Sequence, residues 1–240
     1  MVKNSSARAL SYRTLDSETD MREGLDALAR RCRTMRRLAG IVGVPGLRRH
    51  PAGFPGLARI VVGQQLSIAS AGAIWSRLEA RIRPMQPHRF LAAEDEALRA
   101  AGLSAGKIRT LRALAGAVME DGLDLTGLSG ADEEDVRARL TTVSGIGPWT
   151  ADIYMLFCLG RADAWASGDL ALQTAAGMAL ALRERPSAQA LSEMGERWRP
   201  WRGVAAHVLW AYYAHERQSA MSAPGGRRRP GEAPPRRRPR

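Results

Sequence analysis

Lysine is almost missing from this chain. Of 36 basic side chains only Lys3 and Lys107 are lysines, so there are few places where an amine could attack a carbon and form a Schiff base. Cysteine is nearly as scarce. Two thiols, Cys32 and Cys158, are too few for a disulfide framework, a four-thiolate metal site or an iron–sulfur cluster, and they fit a reducing cytosol. Long apolar runs are also lacking. The longest uncharged stretch, Ile60 to Ser76, contains Gln64, Gln65, Ser67 and Ser70 and falls short of the ~20 apolar residues a bilayer span requires. The opening Met1-Val-Lys-Asn-Ser-Ser has no apolar centre of a signal peptide. Aromatics make up 5% of residues, and strand-forming runs are few. These absences argue against a secreted, membrane-bound or metal-clustered protein and predict a cytoplasmic one.

What is present is alanine and arginine. Alanine supplies 40 of 240 residues, which together with the shortage of strand formers predicts an all-α fold. The length suffices for one large domain or two helical lobes. The formal net charge is +12, and it is unevenly placed. Residues 218–240 carry seven arginines against the single Glu232, in runs spaced by Pro, Gly and Ala. Such a segment packs no core, so residues 216–240 are expected to form a disordered basic tail, either simply solvated or in contact with nucleic acid. Residues 1–20 are polar and expected to be flexible, leaving 21–215 as the folded domain.

Within that domain, Leu25, Leu28 and Ala29 open an amphipathic helix that runs to about Gly40–Pro45, followed by a Pro/Gly-rich connection from Val44 to Gly56. Leu57, Ile60 and Val61 share one helical face; Ile68, Ala71, Trp75 and Leu78 share another. Between the two faces the apolar pattern skips at Gly63-Gln64-Gln65-Leu66-Ser67, as expected of an exposed turn. Ile108, Leu111, Leu114 and Val118 mark a further helix, and Asp132 to Leu140 a short one.

Residues 141–157 are the most informative. A short helix ends near Leu140, the chain turns through Gly145-Ile146-Gly147, and Pro148 opens a second helix at the position where its missing N–H costs nothing. Glycines admit close backbone approach, and the free N–H groups at a helix start favour an anion. In a basic protein that anion is a DNA phosphate, although the same residues would also serve an ordinary helical corner. Twenty residues after Trp149, Asp169 stands at the start of another helix.

The hairpin, this aspartate, the stretch Ile60-Val61-Val62-Gly63-Gln64-Gln65-Leu66-Ser67 and the stretch Arg199-Pro200-Trp201-Arg202-Gly203 together resemble the helix–hairpin–helix DNA glycosylase superfamily, within it the 3-methyladenine glycosylase II branch. The resemblance runs from about Leu25 to Tyr213. It implies two helical lobes with the active site in the cleft between them, Asp169 as the catalytic carboxylate, and a base pocket walled by Trp149 and Trp201 with Ile153 and Tyr154 nearby. It implies DNA contacts through Gln64, Gln65, Ser67, Gly145, Ile146 and Gly147, with Gln65 the better match to a wedge that enters the base stack. The carbonyls of Thr141, Val143 and Ile146 match those that hold a sodium or potassium ion in relatives; no other cofactor and no iron–sulfur cluster is expected. The chain departs from the family pattern at Ala166, where relatives often carry a proline before the aspartate. His207 is read as structural.

The implied activity is excision of alkylated purines from double-stranded DNA by a monomer, leaving an abasic site. One carboxylate suffices for it. A purine alkylated at N3 or N7 is already cationic, so its departure needs no strong general acid, unlike an ordinary glycoside. Two alternatives remain at this point: a related glycosylase for oxidised or deaminated bases, and a non-catalytic DNA-binding module. The carboxylate at Asp169 favours an enzyme, since a simple DNA binder has no use for a charge that repels phosphate. The hairpin and the loop before Asp169 contain no lysine, so strand cleavage through a Schiff base is not expected.

Overall fold

The computed structural model describes residues 12–222. Among them are twelve α-helices and two short 3-10 turns, with no named strand; the single extended pairing is an isolated bridge between Thr14 and Arg161. No helix among the described residues is long and apolar enough to cross a membrane.

The helices are α1 (Glu18–Arg31), α2 (Arg33–Val42), α3 (Phe54–Gly63), α4 (Ile68–Arg81), α5 (Pro87–Ala92), α6 (Asp95–Ala100), α7 (Ala105–Met119), α8 (Glu133–Thr141), α9 (Pro148–Phe157), α10 (Leu170–Ala179), α11 (Ala188–Gly195) and α12 (Arg202–Ser222). Their starts follow local chemistry. Ser17, Ser67, Ser104, Asp132, Asp169 and Ser187 each cap a helix by accepting a backbone N–H from the first turn. Proline occupies the first turn of α3, α5 and α9.

The chain forms two lobes. In one, α3 packs on α4, α7 and α9, with α5 and α6 against α7 and α8 against α9. The other is assembled from both ends of the described chain: α12 packs on α1, α2 and α10, and α10 also meets α11. The chain passes between the lobes twice, at residues 43–53 and 158–169.

The structure departs from the sequence expectations at four places. The single helix expected from Leu25 to about Gly40 is two, broken at Cys32, whose backbone is extended. No glycine or proline marks the break; instead Arg36 donates to the carbonyls of Ala29 and Arg30 and so closes the end of α1. Ile68 was expected on a core face, yet it is 82% exposed, because the first turn of α4 stands clear of the core that Trp75 and Leu78 enter. At the amino end, residues 12–20 are tied down rather than loose: Leu15 donates its N–H to Gly160 O, and Ser17 and Asp20 form a capping box. At the carboxyl end α12 continues to Ser222, seven residues beyond the expected boundary. The basic runs at 227–229 and 236–240 lie outside the described residues.

Candidate active site

Asp169 is the N-cap of α10, and its carboxylate accepts three N–H groups. Oδ1 takes the backbone N–H of Leu172 at 2.8 Å and the indole N–H of Trp210 at 3.1 Å; Oδ2 takes the indole N–H of Trp149 at 2.9 Å. Trp149 is on α9 in the hairpin lobe and Trp210 on α12 in the terminal lobe, so the half-buried carboxylate sits where the two lobes meet. Its donors are all neutral. No salt bridge to Asp169 forms among the described residues, so a negative charge is fixed in place by dipoles without being cancelled by a cation. The positive end of the α10 dipole adds to that hold.

The loop that presents Asp169 is firmly built. Asp169 donates its own N–H to Ala166 O at 2.9 Å, and the buried Gln173 amide donates to Ser167 O at 2.9 Å. Further back, Arg161 stacks on Tyr12 at 4.0 Å and donates to Leu128 O at 3.0 Å. Asp163 accepts from Arg202 at 3.0 and 3.1 Å and from Arg199 at 2.6 Å, while Arg202 also reaches Glu133 and Glu196. Loop, hairpin lobe and terminal lobe are thus joined by one ionic cluster around a buried guanidinium. Composition and periodicity gave no sign of it.

Of the residues expected to wall a base pocket, the structure brings Trp149 to the aspartate and leaves Trp201 elsewhere. Trp201 is 5% exposed and packs against α1, where a Cβ on Gly24 would lie 2.6 Å from its ring, and Arg13 covers it at 4.5 Å. The aromatic partner of Asp169 is instead Trp210. It stacks at a tilt on Phe157 and meets His207 edge-on, with centroids 5.6 and 5.9 Å apart. Sequence reasoning missed Trp210 because α12 is buried on every side from Arg202 to Trp210, so its apolar pattern does not single out one face. Ile153 is buried. Tyr154 is wholly buried and is no pocket wall: its hydroxyl accepts the N–H of Gly53 at 2.8 Å, and burial pushes its pKa up to about 12. His207 is buried, its Nδ1 is 2.8 Å from Gly203 O, and desolvation holds its pKa down to about 4.

At the hairpin, α8 and α9 are clamped by Arg137 and the buried Asp152 at 2.7 Å. Desolvation raises Asp152 to about 6 in spite of that partner. The two glycines are used differently. Gly145 has φ +86, and a Cβ there would run into the Thr110 side chain. Gly147 has ordinary backbone angles, and a Cβ there would meet nothing within 4 Å. Space inside the protein therefore requires a glycine at 145 but not at 147. Ile146 is buried, so any contact it makes outside the protein is through its backbone.

The Gly63–Ser67 turn lies beside the hairpin. Gln64 donates to Thr150 Oγ1 at 2.9 Å and more distantly to Gly145 O at 3.5 Å. Gln65 is exposed at the tip with φ +57, and Ser67 caps α4. Lys107 donates to Val62 O at 2.6 Å and Gln64 O at 3.0 Å, and desolvation lowers its pKa. The carbonyls expected to face a monovalent cation divide: Val143 O accepts from Ile146 N, while those of Thr141 and Ile146 accept no backbone hydrogen bond among the described residues outside the helices.

These features define a helix–hairpin–helix protein organised around one carboxylate shared by two lobes. The chain belongs to the HhH-GPD superfamily of base excision DNA repair proteins, whose family model matches residues 58–200. It is 33% identical over 168 residues to a Mycobacterium tuberculosis protein described as a probable bifunctional transcriptional activator/DNA repair enzyme AlkA. That match takes in 65% of this chain and only a third (33%) of the mycobacterial protein's length. A Schizosaccharomyces pombe 3-methyladenine DNA glycosylase, solved in complex with abasic DNA, has TM-score 0.72 at 27% identity, covering 78% of this chain and 95% of that one. A Bacillus halodurans DNA-3-methyladenine glycosidase has TM-score 0.69 at 33% identity, covering 87% and 95%.

Proposed function

We propose that this protein is a monofunctional DNA glycosylase that removes alkylated purines from double-stranded DNA and leaves an abasic site. The observation that carries the reading is the Asp169 carboxylate, held by Trp149 and Trp210 with no cation paired to it among the described residues. The proteins of similar fold from Schizosaccharomyces pombe and Bacillus halodurans, described as 3-methyladenine DNA glycosylase or glycosidase, support the choice of substrate.

The steps follow from the residues. The hairpin presents the backbone N–H groups around Gly145 and Gly147 to phosphates flanking the lesion. Gln65 enters the stack as the damaged nucleotide turns out, at a cost of about a few kcal/mol. The extruded cationic base reaches Asp169 beside the partly exposed Trp149 and gains roughly 0.5–2 kcal/mol of cation–π energy if it meets that ring's face. The bond between C1′ and the base nitrogen then breaks, and its electron pair leaves with the purine, cancelling the purine's charge. Asp169 stabilises the oxocarbenium ion that forms and directs a water to C1′, which loses its proton to give the abasic sugar. Discrimination comes from charge and bond weakness more than from hydrogen bonds to the base.

A sodium or potassium ion held by the carbonyls of Thr141, Val143 and Ile146 would lend positive charge to the phosphate side of the hairpin. The free carbonyls of Thr141 and Ile146 suit such an ion, and oxygen donors are the right class for it.

The deciding experiment is incubation of the full chain with duplexes carrying 3-methyladenine, 7-methylguanine, hypoxanthine or 8-oxoguanine, scored for abasic sites. Release of the alkylated purines, lost in Asp169→Asn, is expected. Release of 8-oxoguanine or hypoxanthine alone would move the protein to another branch of the superfamily. Tight binding with no release of any base would make it a non-catalytic module.

A further inference from the structure

Lys107 is the one lysine among the described residues, and it is spent on backbone. Its ammonium bonds Val62 O and Gln64 O, the last carbonyls of α3 and the start of the turn that follows. No carboxylate pairs with it among the described residues. A cation here satisfies carbonyls that the helix end leaves free and complements the negative end of its dipole. One turn further along α7, Thr110 fills the space directly against Gly145. The same helix therefore grips the exposed turn with one side chain and underlies the hairpin with another. A second link runs directly between turn and hairpin, from the Gln64 amide to Thr150 Oγ1 at 2.9 Å. At the tip of this braced turn Gln65 is held at φ +57, a conformation that a residue other than glycine keeps only when its surroundings impose it.

We propose that Lys107 is a positioning residue for base extrusion. It locks the Gly63–Ser67 turn in register with the phosphate-binding hairpin, so that Gln65 displaces the base instead of being pushed back by the stack. The inference rests on the glycosylase reading above and extends it. Extrusion does mechanical work on a stacked duplex. A turn anchored to the same helix that supports the phosphate grip transmits that work, whereas a loose turn yields. Lys107 touches neither Asp169 nor the two indoles, so its effect is confined to getting the base out.

The test compares one lesion in two settings. Single-turnover release of 7-methylguanine is measured on a fully paired duplex and on the same strand with the lesion in an unpaired bulge, using the full chain, Lys107→Met and Lys107→Arg, with thermal melting alongside. Because the bulge removes most of the unstacking cost, Lys107→Met is expected to be slowed about tenfold or more on the paired duplex and less than about twofold on the bulge. Lys107→Arg, which keeps a cation within reach of the carbonyls, should recover most of the loss. Equal slowing on both substrates, or no slowing on either, would overturn the proposal. If Lys107→Met fails to fold, Thr150→Val removes the acceptor of the second link and carries the same comparison. Failure of the unmodified chain to release the base from either substrate is a separate result, and it would overturn the glycosylase reading itself.

Discussion

The indole N–H of Trp210 donates to Asp169 Oδ1 at 3.1 Å, joining two residues 41 positions apart and completing a carboxylate that Trp149 holds from the other lobe. Asp169→Asn keeps the side chain's shape and its ability to cap α10 while removing the charge. We expect excision to fall by about 10² to 10³ or more, the scale seen when a single electrostatic stabiliser is lost. Affinity for an abasic duplex should stay the same or rise slightly. Near-normal turnover by the Asn variant would remove Asp169 from the mechanism.

Trp210→Phe and Trp201→Phe separate the site from the core. The first also opens a void beside Phe157 and lowers stability, but it deletes the N–H bonded to Asp169, so single-turnover excision measured well below the melting temperature should drop about tenfold or more, one charge-assisted hydrogen bond being worth about 1.5–3 kcal/mol. Trp201→Phe leaves a void against α1 and Arg13 and should lower stability by about 1–3 kcal/mol without altering lesion preference. A reversed pattern would restore Trp201 to the pocket.

The two hairpin glycines should respond differently to alanine. Gly145→Ala places a side chain at positive φ and into Thr110, at a cost of about 1–3 kcal/mol that thermal melting will register. Gly147→Ala meets open space and should change stability by less than about 0.5 kcal/mol. It should nonetheless weaken DNA binding, since the added methyl stands where a phosphate approaches. Unaltered DNA affinity in Gly147→Ala would mean the phosphate is gripped elsewhere.

Acid should destabilise the fold through His207. Its folded pKa of about 4 lies below the ordinary value of 6.5 because burial, and then Arg48, disfavour the imidazolium. The unfolded chain therefore takes up a proton that the folded one refuses. The stability conferred by keeping this ring neutral is intact above pH 6.5 and is lost progressively as pH falls toward 4, by about 2 kcal/mol at pH 5. Asp152, raised to about 6 by burial, works in the opposite sense, since the fold gains as that carboxylate is protonated. Denaturant titrations at pH 7.5 and 5 should show a markedly smaller acid loss for His207→Leu. An identical loss would place the acid-sensitive group elsewhere.

Much of the frame was legible in the sequence because it rests on local chemistry. Proline at the start of α9, the Gly-Ile-Gly turn and the capping position of Asp169 are signals spanning a few residues, and each falls where it was expected. The Leu57–Ile60–Val61 face and the Ile108–Leu111–Leu114 face are buried as their spacing predicts. The contents of the pocket were harder to read. Trp149, Trp201 and Trp210 are alike as letters, and only the crossing of α12 over α1 and α10 determines which indole reaches the carboxylate. The arginine cluster at Asp163 and the Lys107 brace were invisible for the same reason, since both depend on contacts distant in sequence. The cut between α1 and α2 carries no breaker residue and is stabilised by an arginine in the following helix.

The terminal lobe's construction from both ends of the chain bears on how the protein is made. Helices α3 to α9 are contiguous, so that lobe has all its parts before residue 160 has been synthesised. Helices α1 and α2 are synthesised before that lobe, yet the faces they do not bury against each other must wait for α12, which leaves parts of Met21, Leu25, Leu28, Met35 and Leu38 uncovered meanwhile. Asp169 likewise emerges well before Trp210. During synthesis the nascent chain therefore holds a finished hairpin and an unfinished Asp169 site, and the stretch between those two events is when it is most exposed to aggregation.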